Sequence, residues 1–312
     1  MTISTKAKTF AGIALAAAAL VGLSSCADPV ASTEASSSSV DTEAEVPMPE
    51  FSQELHDALP QEILDAGEIR MAAIPLPPYV YKDSDGSTDI GLSVDTAAAL
   101  EELLGIDIDL QIAPAISDVF TGFTSDKYDV SIAALSNIPS TQENYDFANW
   151  VAEFVVFLQT KEGAENDPVD SLESACGHTI ATLQGGTAEQ VLNDAQANCG
   201  DSPIDIALYK DQDSAVLAVS SGRADAAFSS QIPLTYYVEQ DPDFVLSGAN
   251  STDNGFPPFW VGAFAPKGEP IVPVMLDSFN ALKDAGTYDA LLAKYGIEAN
   301  AMDEFGMNMA QE

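Results

Sequence analysis

Three cysteines carry most of the chemistry this 312-residue sequence offers. Cys26 closes the run Leu23-Ser24-Ser25-Cys26, behind Lys6, Lys8 and an uncharged apolar stretch from Phe10 to Leu23. Basic, apolar and small residues in that order before a cysteine read as a lipoprotein signal: Met1 to Ser25 are removed and the Cys26 thiol is acylated. The apolar stretch falls short of the roughly 20 residues that a membrane-crossing helix needs. The acyl chains would hold the protein at the outer face of the cell membrane. Cys176 and Cys199 are left as a pair in an exported chain, where disulfides persist. Closing a loop of that length stabilises by about 3 kcal/mol.

Other reactive groupings are few. His56 and His178 are the only histidines, and no Cys-x-x-Cys or His-x-x-x-His spacing occurs, so no metal site is expected. There is no Gly-x-Ser-x-Gly elbow, no His-Glu-x-x-His and no phosphate-binding Walker loop, and no cofactor is implied. Acids such as Asp118 and Glu153 are the nearest to a general acid or base. The reading is of a protein that binds rather than turns over.

Charge narrows the partners. There are 49 Asp+Glu against 11 Lys+Arg, and losing Lys6 and Lys8 with the signal takes the net charge from −38 to −40. Such a surface repels nucleic acid and anionic headgroups. The acids are spread along the whole chain, as in a solvating coat, although they could also draw a cationic ligand into a cleft.

These groups need a frame. Residues 26–50 are rich in Ser, Glu and Pro and read as a disordered tether. The globular part runs from Phe51 to the C-terminus, long enough for two lobes. Ile69 to Ile74 is a strand stopped by Pro75 and Pro77-Pro78. Ser93 to Leu104 is a helix, capped by Ser93 and stopped by Gly105. Ile106 to Ile112 alternates as a half-buried strand. Val119 to Thr124 is a helix, and Asp129 to Leu135 and Val151 to Gln159 are strands. Beyond a turn at Glu162 to Val169 the pattern repeats: strand Thr179 to Leu183, helix through Asn193, strand Ile204 to Leu208, helix Ser214 to Ser221, strand Ala224 to Phe228. Trp260 to Ala265 is a late strand, the stretch Phe256 to Trp260 a return near a hinge, and Val272 to Ala285 and Tyr288 to Lys294 are helices. Two βαβαβ units predict an α/β fold of two lobes with mostly parallel sheets. A chain that leaves one lobe and returns predicts two hinge strands and a cleft.

The segments Gly67-Glu68-Ile69-Arg70, Pro77-Pro78-Tyr79, Asp85-Gly86 and Gly91-Leu92-Ser93-Val94-Asp95 resemble the opening of family 3 extracellular solute-binding proteins, the polar amino-acid receptors of ABC importers. Lys127-Tyr128-Asp129-Val130, Asn144-Tyr145-Asp146-Phe147, Gly222-Arg223-Ala224-Asp225-Ala226, Lys283-Asp284-Ala285-Gly286-Thr287-Tyr288 and Leu291-Leu292-Ala293-Lys294-Tyr295-Gly296 extend the resemblance from Ala66 to Ile297. The paired cysteines resemble those of actinobacterial members. The resemblance implies a bilobal periplasmic-binding-protein-like fold of type II, with lobe 1 at 51–160 plus 255–312 and lobe 2 at 161–254. It implies a monomer that binds one small-molecule solute and presents it to an ABC permease and ATPase complex. The ligand-binding residues it implies are Leu76, Tyr79, Ile116, Ala133, Ala134, Leu135, Ser136 and Thr141 in the first lobe. In the second they are Gly185, Gly186, Thr187 and Ser230, with Gly185 to Thr187 a loop whose free N–H groups could hold an anionic or carbonyl oxygen.

The sequence departs from the family where charge matters most. Amino-acid receptors of this family grip the ligand carboxylate with an arginine at the position of Thr141, and the ammonium with an aspartate at the position of Ser230. A further aspartate of the first loop is replaced near Ala73. With both partners of the zwitterion missing, the expected solute is neutral or a quaternary amine held by cation–π contact, with Tyr79 as an aromatic wall and Ser136, Thr141, Thr187, Ser230 and Gln231 supplying hydrogen bonds. The alternative is an ordinary amino acid held by a displaced basic residue among Arg70, Lys82, Lys161 and Arg223. A lipoprotein that senses or scaffolds, with no ligand-driven closure, is the other class.

Overall fold

A computed structural model describes residues 46–248 and 259–310. Cys26, with the signal and most of the tether, lies outside the described residues. The last of the tether, Val46 to Pro49, lies against the fold: Val46 packs on the core, Pro49 is buried and the Pro47 carbonyl accepts a hydrogen bond from Thr287 Oγ1 at 2.7 Å.

Two short helices, α1 (Gln53–Asp57) and α2 (Gln61–Ala66), precede strand β1 (Glu68–Ala73). A small hairpin of β2 (Tyr81–Lys82) and β3 (Asp89–Ile90) leads into α3 (Leu92–Leu104), β4 (Asp107–Ile112), α4 (Ile116–Thr124), β5 (Val130–Ser131) and the single turn α5 (Pro139–Gln142). Strand β6 (Tyr145–Glu153) ends one half, and β7 (Val155–Thr160), α6 (Lys161–Asn166), β8 (Thr179–Leu183), α7 (Thr187–Ala195), β9 (Asp205–Tyr209), α8 (Gln212–Ser220), β10 (Ala226–Ser230), α9 (Gln231–Gln240) and β11 (Phe244–Ser247) build the other. The chain then returns through β12 (Phe259–Pro266), α10 (Ile271–Asp284), α11 (Thr287–Lys294) and β13 (Ala301–Met307).

The first sheet has the order β13-β6-β12-β5-β1-β4 and the second β11-β7-β10-β8-β9. Each carries a parallel core (β4-β1-β5 and β10-β8-β9) and antiparallel partners beyond it. The sheets are therefore mixed rather than mostly parallel. The second passage between sheets falls in residues 249–258, together with most of Phe256 to Trp260, outside the described residues.

Residue patterns explain most elements. On the edge strand β4, Asp107 and Asp109 are exposed while Ile108 is buried, the period of a half-covered strand. Strand β1 alternates from Glu68 to Met71 and is then covered on both faces, with Met71, Ala72 and Ala73 all buried. Gly105 ends α3 in the left-handed region, as expected.

Ser93 is not the cap of α3. Gly91 holds that position at φ 132°, and the first helical N–H groups, of Leu92 and Ser93, donate to the carbonyls of Pro78 and Tyr79 at 2.9 Å. The Pro-Pro-Tyr loop thus satisfies donors that a side chain normally would. The strand expected over Asp129 to Leu135 ends after two ladder residues. There Ser131 Oγ donates to the Ala72 carbonyl and accepts from Ala133 N–H, so a side chain replaces the ladder.

The stretch Val151 to Gln159, expected as one strand, is two. Val151 pairs within the first sheet and Val155 within the second, with Phe154 between them, so residues 155–160, expected in the first lobe, belong to the second sheet. Both pieces are apolar, and hydrophobic periodicity does not register a change of partner. The largest hydrophobic cluster runs across both halves: Trp150 stacks on Phe279 at 4.8 Å at the first sheet, and Phe157 meets Phe228 at 4.4 Å across β7 and β10.

Candidate functional site

In open α/β sheets, ligands bind outside the carboxyl ends of the parallel strands. Here those ends are Ala73, Ile112 and Ser131 in the first sheet and Leu183, Tyr209 and Ser230 in the second. Side chains from the two halves meet along this line. Thr187 Oγ1 donates to Ser136 Oγ at 2.9 Å, and the rings of Tyr81 and Tyr236 lie 5.3 Å apart.

The expected first-half residues form a short arc. Leu76 bridges back to Val80 through two 3.0 Å backbone bonds, and its side chain is buried. Tyr79 is buried too, and its hydroxyl donates to Glu153 Oε2 at 3.3 Å. Ile116 opens α4, half-buried beside the cluster of Val119, Phe147 and Phe264. Ala133 is buried, Ala134 and Leu135 half-buried, and Leu135 N–H turns back onto the Ala133 carbonyl at 2.6 Å. Ser136 is buried at the Thr187 contact. The Thr141 hydroxyl is committed locally: it accepts from Ile138 N–H at 3.1 Å and lies 2.8 Å from the Ser136 carbonyl, to which it can donate.

In the second half, Gly185 is exposed, and its N–H donates to the chain's own Glu189 Oε2 at 2.5 Å. A carboxylate four residues along thus already occupies part of the loop expected to hold an anionic oxygen. Gly186 and Thr187 follow as N-cap and first residue of α7. Ser230 ends β10 and serves as the N-cap residue of α9 without a side-chain capping bond. Gln212, at the start of α8, is buried; its Oε1 accepts from Ser229 Oγ at 2.8 Å and its Nε2 has no hydrogen-bond partner among the described residues. Neither Gln212 nor Glu189 was expected, and both stand in the first turns of helices at these strand ends. That position, rather than any motif, is the signal that points to them.

The basic residues weighed as substitutes for a carboxylate grip are placed elsewhere. Arg70 is forked onto Asp129, with Nη2 to Oδ1 at 2.5 Å, at the amino end of β5; Asp129 and Asp126 together hold the guanidinium above its ordinary pKa against the opposing effect of burial. Lys82 pairs with Asp89 at 2.9 Å in the hairpin. Lys161 and Arg223 lie beyond the opposite ends of β7 and β10 from Ser230.

Glu153, one of the two acids singled out from the sequence, is buried between the halves. It is 1% exposed at the end of β6, and burial, against the hydrogen bonds from Ile232 N–H, Phe154 N–H and Tyr79, pushes its carboxyl up to about 8. An acid inside the apolar run Trp150 to Leu158 is visible in the sequence. Its partners are not.

Cys176 and Cys199 form the expected disulfide, joining the turn before β8 to the short helical turn after α7. No group of metal-ligating side chains is present among the described residues, and none of their helices is long and apolar enough to cross a membrane.

Residues 69–298 match the bacterial extracellular solute-binding proteins, family 3. The chain is 28% identical over 267 residues to the arginine-binding protein ArgT of Corynebacterium glutamicum, covering 84% of each. It is 24% identical over 224 residues to the histidine-binding periplasmic protein of Escherichia coli K12, covering 70% of this chain and 83% of that one. Among solved structures, holo ArgBP from T. maritima superposes with a TM-score of 0.62 at 21% identity, covering 76% of this chain and all of that one. An ancestral amino acid-binding protein, a precursor of cyclohexadienyl dehydratase, superposes at 0.65 and 23% identity, covering 75% of this chain and 98% of that one. The two-sheet arrangement is that of the type II periplasmic-binding-protein fold.

Proposed function

The chain belongs to the bacterial extracellular solute-binding proteins of family 3, and on that premise we propose that it captures one small solute between its two lobes and hands it to an ABC importer. The chain crosses between the lobes at Phe154. Cys26 carries the lipid that anchors it to the outer face of the membrane, and the protein works as a monomer that binds without turnover.

The solute is neutral or carries a quaternary amine, without the charge pair of a free α-amino acid. One observation carries this reading: the polar side chains at the facing strand ends are Ser136, Thr187, Ser230 and Gln212, while Arg70, Lys82, Lys161 and Arg223 are placed elsewhere. The nearby charge is a carboxylate, Glu189 on the Gly185 N–H, while Glu153 beneath Tyr79 is a buried acid. A solute carboxylate would meet none of these four cations and would find an acid already on the loop, and desolvating a charge without a partner is costly. A neutral solute has only to exchange water for these hydroxyls and amides.

A second reading is favoured by the ArgT relative: an arginine-like solute whose cationic side chain meets the Glu189 carboxylate. Calorimetric titration of the full chain with choline, sucrose and L-arginine separates the two. The proposal expects saturable binding of choline or sucrose, weakened roughly three- to tenfold by S136A or T187A for the loss of one hydrogen bond. Binding of L-arginine alone supports the second reading, and unchanged affinity in both variants removes these residues from the site.

A further inference from the structure

We propose that Glu153 is a positioning residue for closure: one buried carboxylate, with its two oxygens committed to opposite sides of the crossing, sets the angle between the lobes. The inference rests on the two-lobed capture reading, but its test needs no solute.

The geometry is specific to the point where β6 gives way to β7. Glu153 Oε2 accepts from the Tyr79 hydroxyl at 3.3 Å, on the loop that follows β1 in the first sheet. Oε1 accepts from Ile232 N–H at 3.1 Å, in the first turn of α9 on the second sheet, and from Phe154 N–H at 3.2 Å on the crossing itself. The preceding N–H of α9, from Gln231, donates to the Phe154 carbonyl at 2.7 Å. Residues 153 and 154 thus hold the first two N–H groups of α9, a helix of the opposite lobe.

On the other side, the backbone of Tyr79 is no loose end. Its carbonyl receives Ser93 N–H at 2.9 Å, in the first turn of α3. A continuous path therefore runs from α3 through Tyr79 and Glu153 to α9, each step a hydrogen bond. Among the described residues no other charged side chain is buried, so the arrangement is not a general feature of this core. A lobe rotation about Phe154 moves Tyr79 relative to Ile232 and breaks one side of the carboxylate's set.

The carboxylate is also poised to respond to pH. The titratable group facing it is Tyr79; α9 presents Gln231 and Ile232, β12 presents Phe259 in register, and β7 presents Val155. Burial keeps Glu153 protonated at neutral pH. A protonated carboxyl and the Tyr79 hydroxyl can exchange donor and acceptor roles without cost, whereas an ionised one in this dry site draws water in and favours opening.

The experiment is small-angle scattering of the solute-free full chain as wild type, E153Q and E153A, at about pH 6 and about pH 9.5, either side of the buried carboxyl. Glutamine retains an acceptor for Ile232 and Phe154 and a donor for Tyr79, but does not ionise. The expected result is a wild type whose radius of gyration increases at the higher pH, an E153Q that stays compact at both, and an E153A already expanded at the lower. An E153Q that expands with pH as the wild type does, or a folded E153A as compact as the wild type, overturns the proposal. If E153A fails to fold, the comparison of wild type with E153Q still decides.

Discussion

Glu153 makes stability itself a function of pH. Its carboxyl titrates near 8 in the folded chain because burial disfavours the charged form, against 4.5 in the unfolded chain. Below the lower value both states are protonated and the folded state keeps its full advantage. Between 4.5 and about 8 the unfolded chain releases a proton that the folded chain retains, so stability falls as pH rises, by on the order of 1.4 kcal/mol per pH unit. In E153Q this slope is absent from the window, which chemical denaturation at a series of pH values would read directly. An E153Q with the wild-type slope would assign the dependence to other groups. His178 shifts in the same direction, here because its charged form is favoured. Burial lowers its pKa, but the Asp167 carboxylate 3.1 Å away, the Asp225 carboxylate and a hydrogen bond with the Cys176 backbone together raise it. Its contribution is complete below its unfolded value and fades as pH rises through the folded one.

At the scale of elements, two features test how the site is supported. Gly91 sits at φ 132°, and a Cβ there would lie 2.4 Å from the Tyr79 carbonyl that receives Ser93 N–H. G91A is expected to cost well over the roughly 1–3 kcal/mol of a strained φ, because the Pro-Pro-Tyr loop must also move. G86A, at φ 72° with nothing within 4 Å, pays for φ alone. Equal melting points for the two would show that the loop gives way freely. The disulfide joins segments 23 residues apart, and replacing both Cys176 and Cys199 by Ser is expected to destabilise by about 3 kcal/mol. Calorimetric unfolding of that double variant reads the loss.

Elements with strong punctuation were legible in the sequence: α3 ends at Gly105, β4 alternates, and α7 starts after Gly186. Three kinds of element were not. Strand β13 is half-exposed with no alternation, helix α9 carries Pro233 in its first turn, where a missing N–H costs nothing, and the crossing at Phe154 hides inside an apolar run broken only by Glu153. The positions at the strand ends followed from family resemblance. That Thr141 spends its hydroxyl on its own turn and that Glu189 fills the glycine loop are contacts between residues close in sequence, yet they depend on backbone geometry that no residue pattern encodes.

Over the whole molecule, two mixed sheets present neutral polar side chains to each other, within a chain of net charge −38. The central claim is that this arrangement binds a small solute without the charge pair of a free α-amino acid. Thermal unfolding of the full chain against quaternary amines, neutral osmolytes, sugars and the common amino acids tests it most directly. At a hundredfold excess over Kd a ligand adds about 2.7 kcal/mol, which for a domain of this size raises Tm by roughly 5–10 °C. The expected result is such a shift with a solute lacking that charge pair and none with ordinary amino acids. A shift with an ordinary amino acid would contradict it, and would place a carboxylate grip where Thr141 and Ser230 supply none.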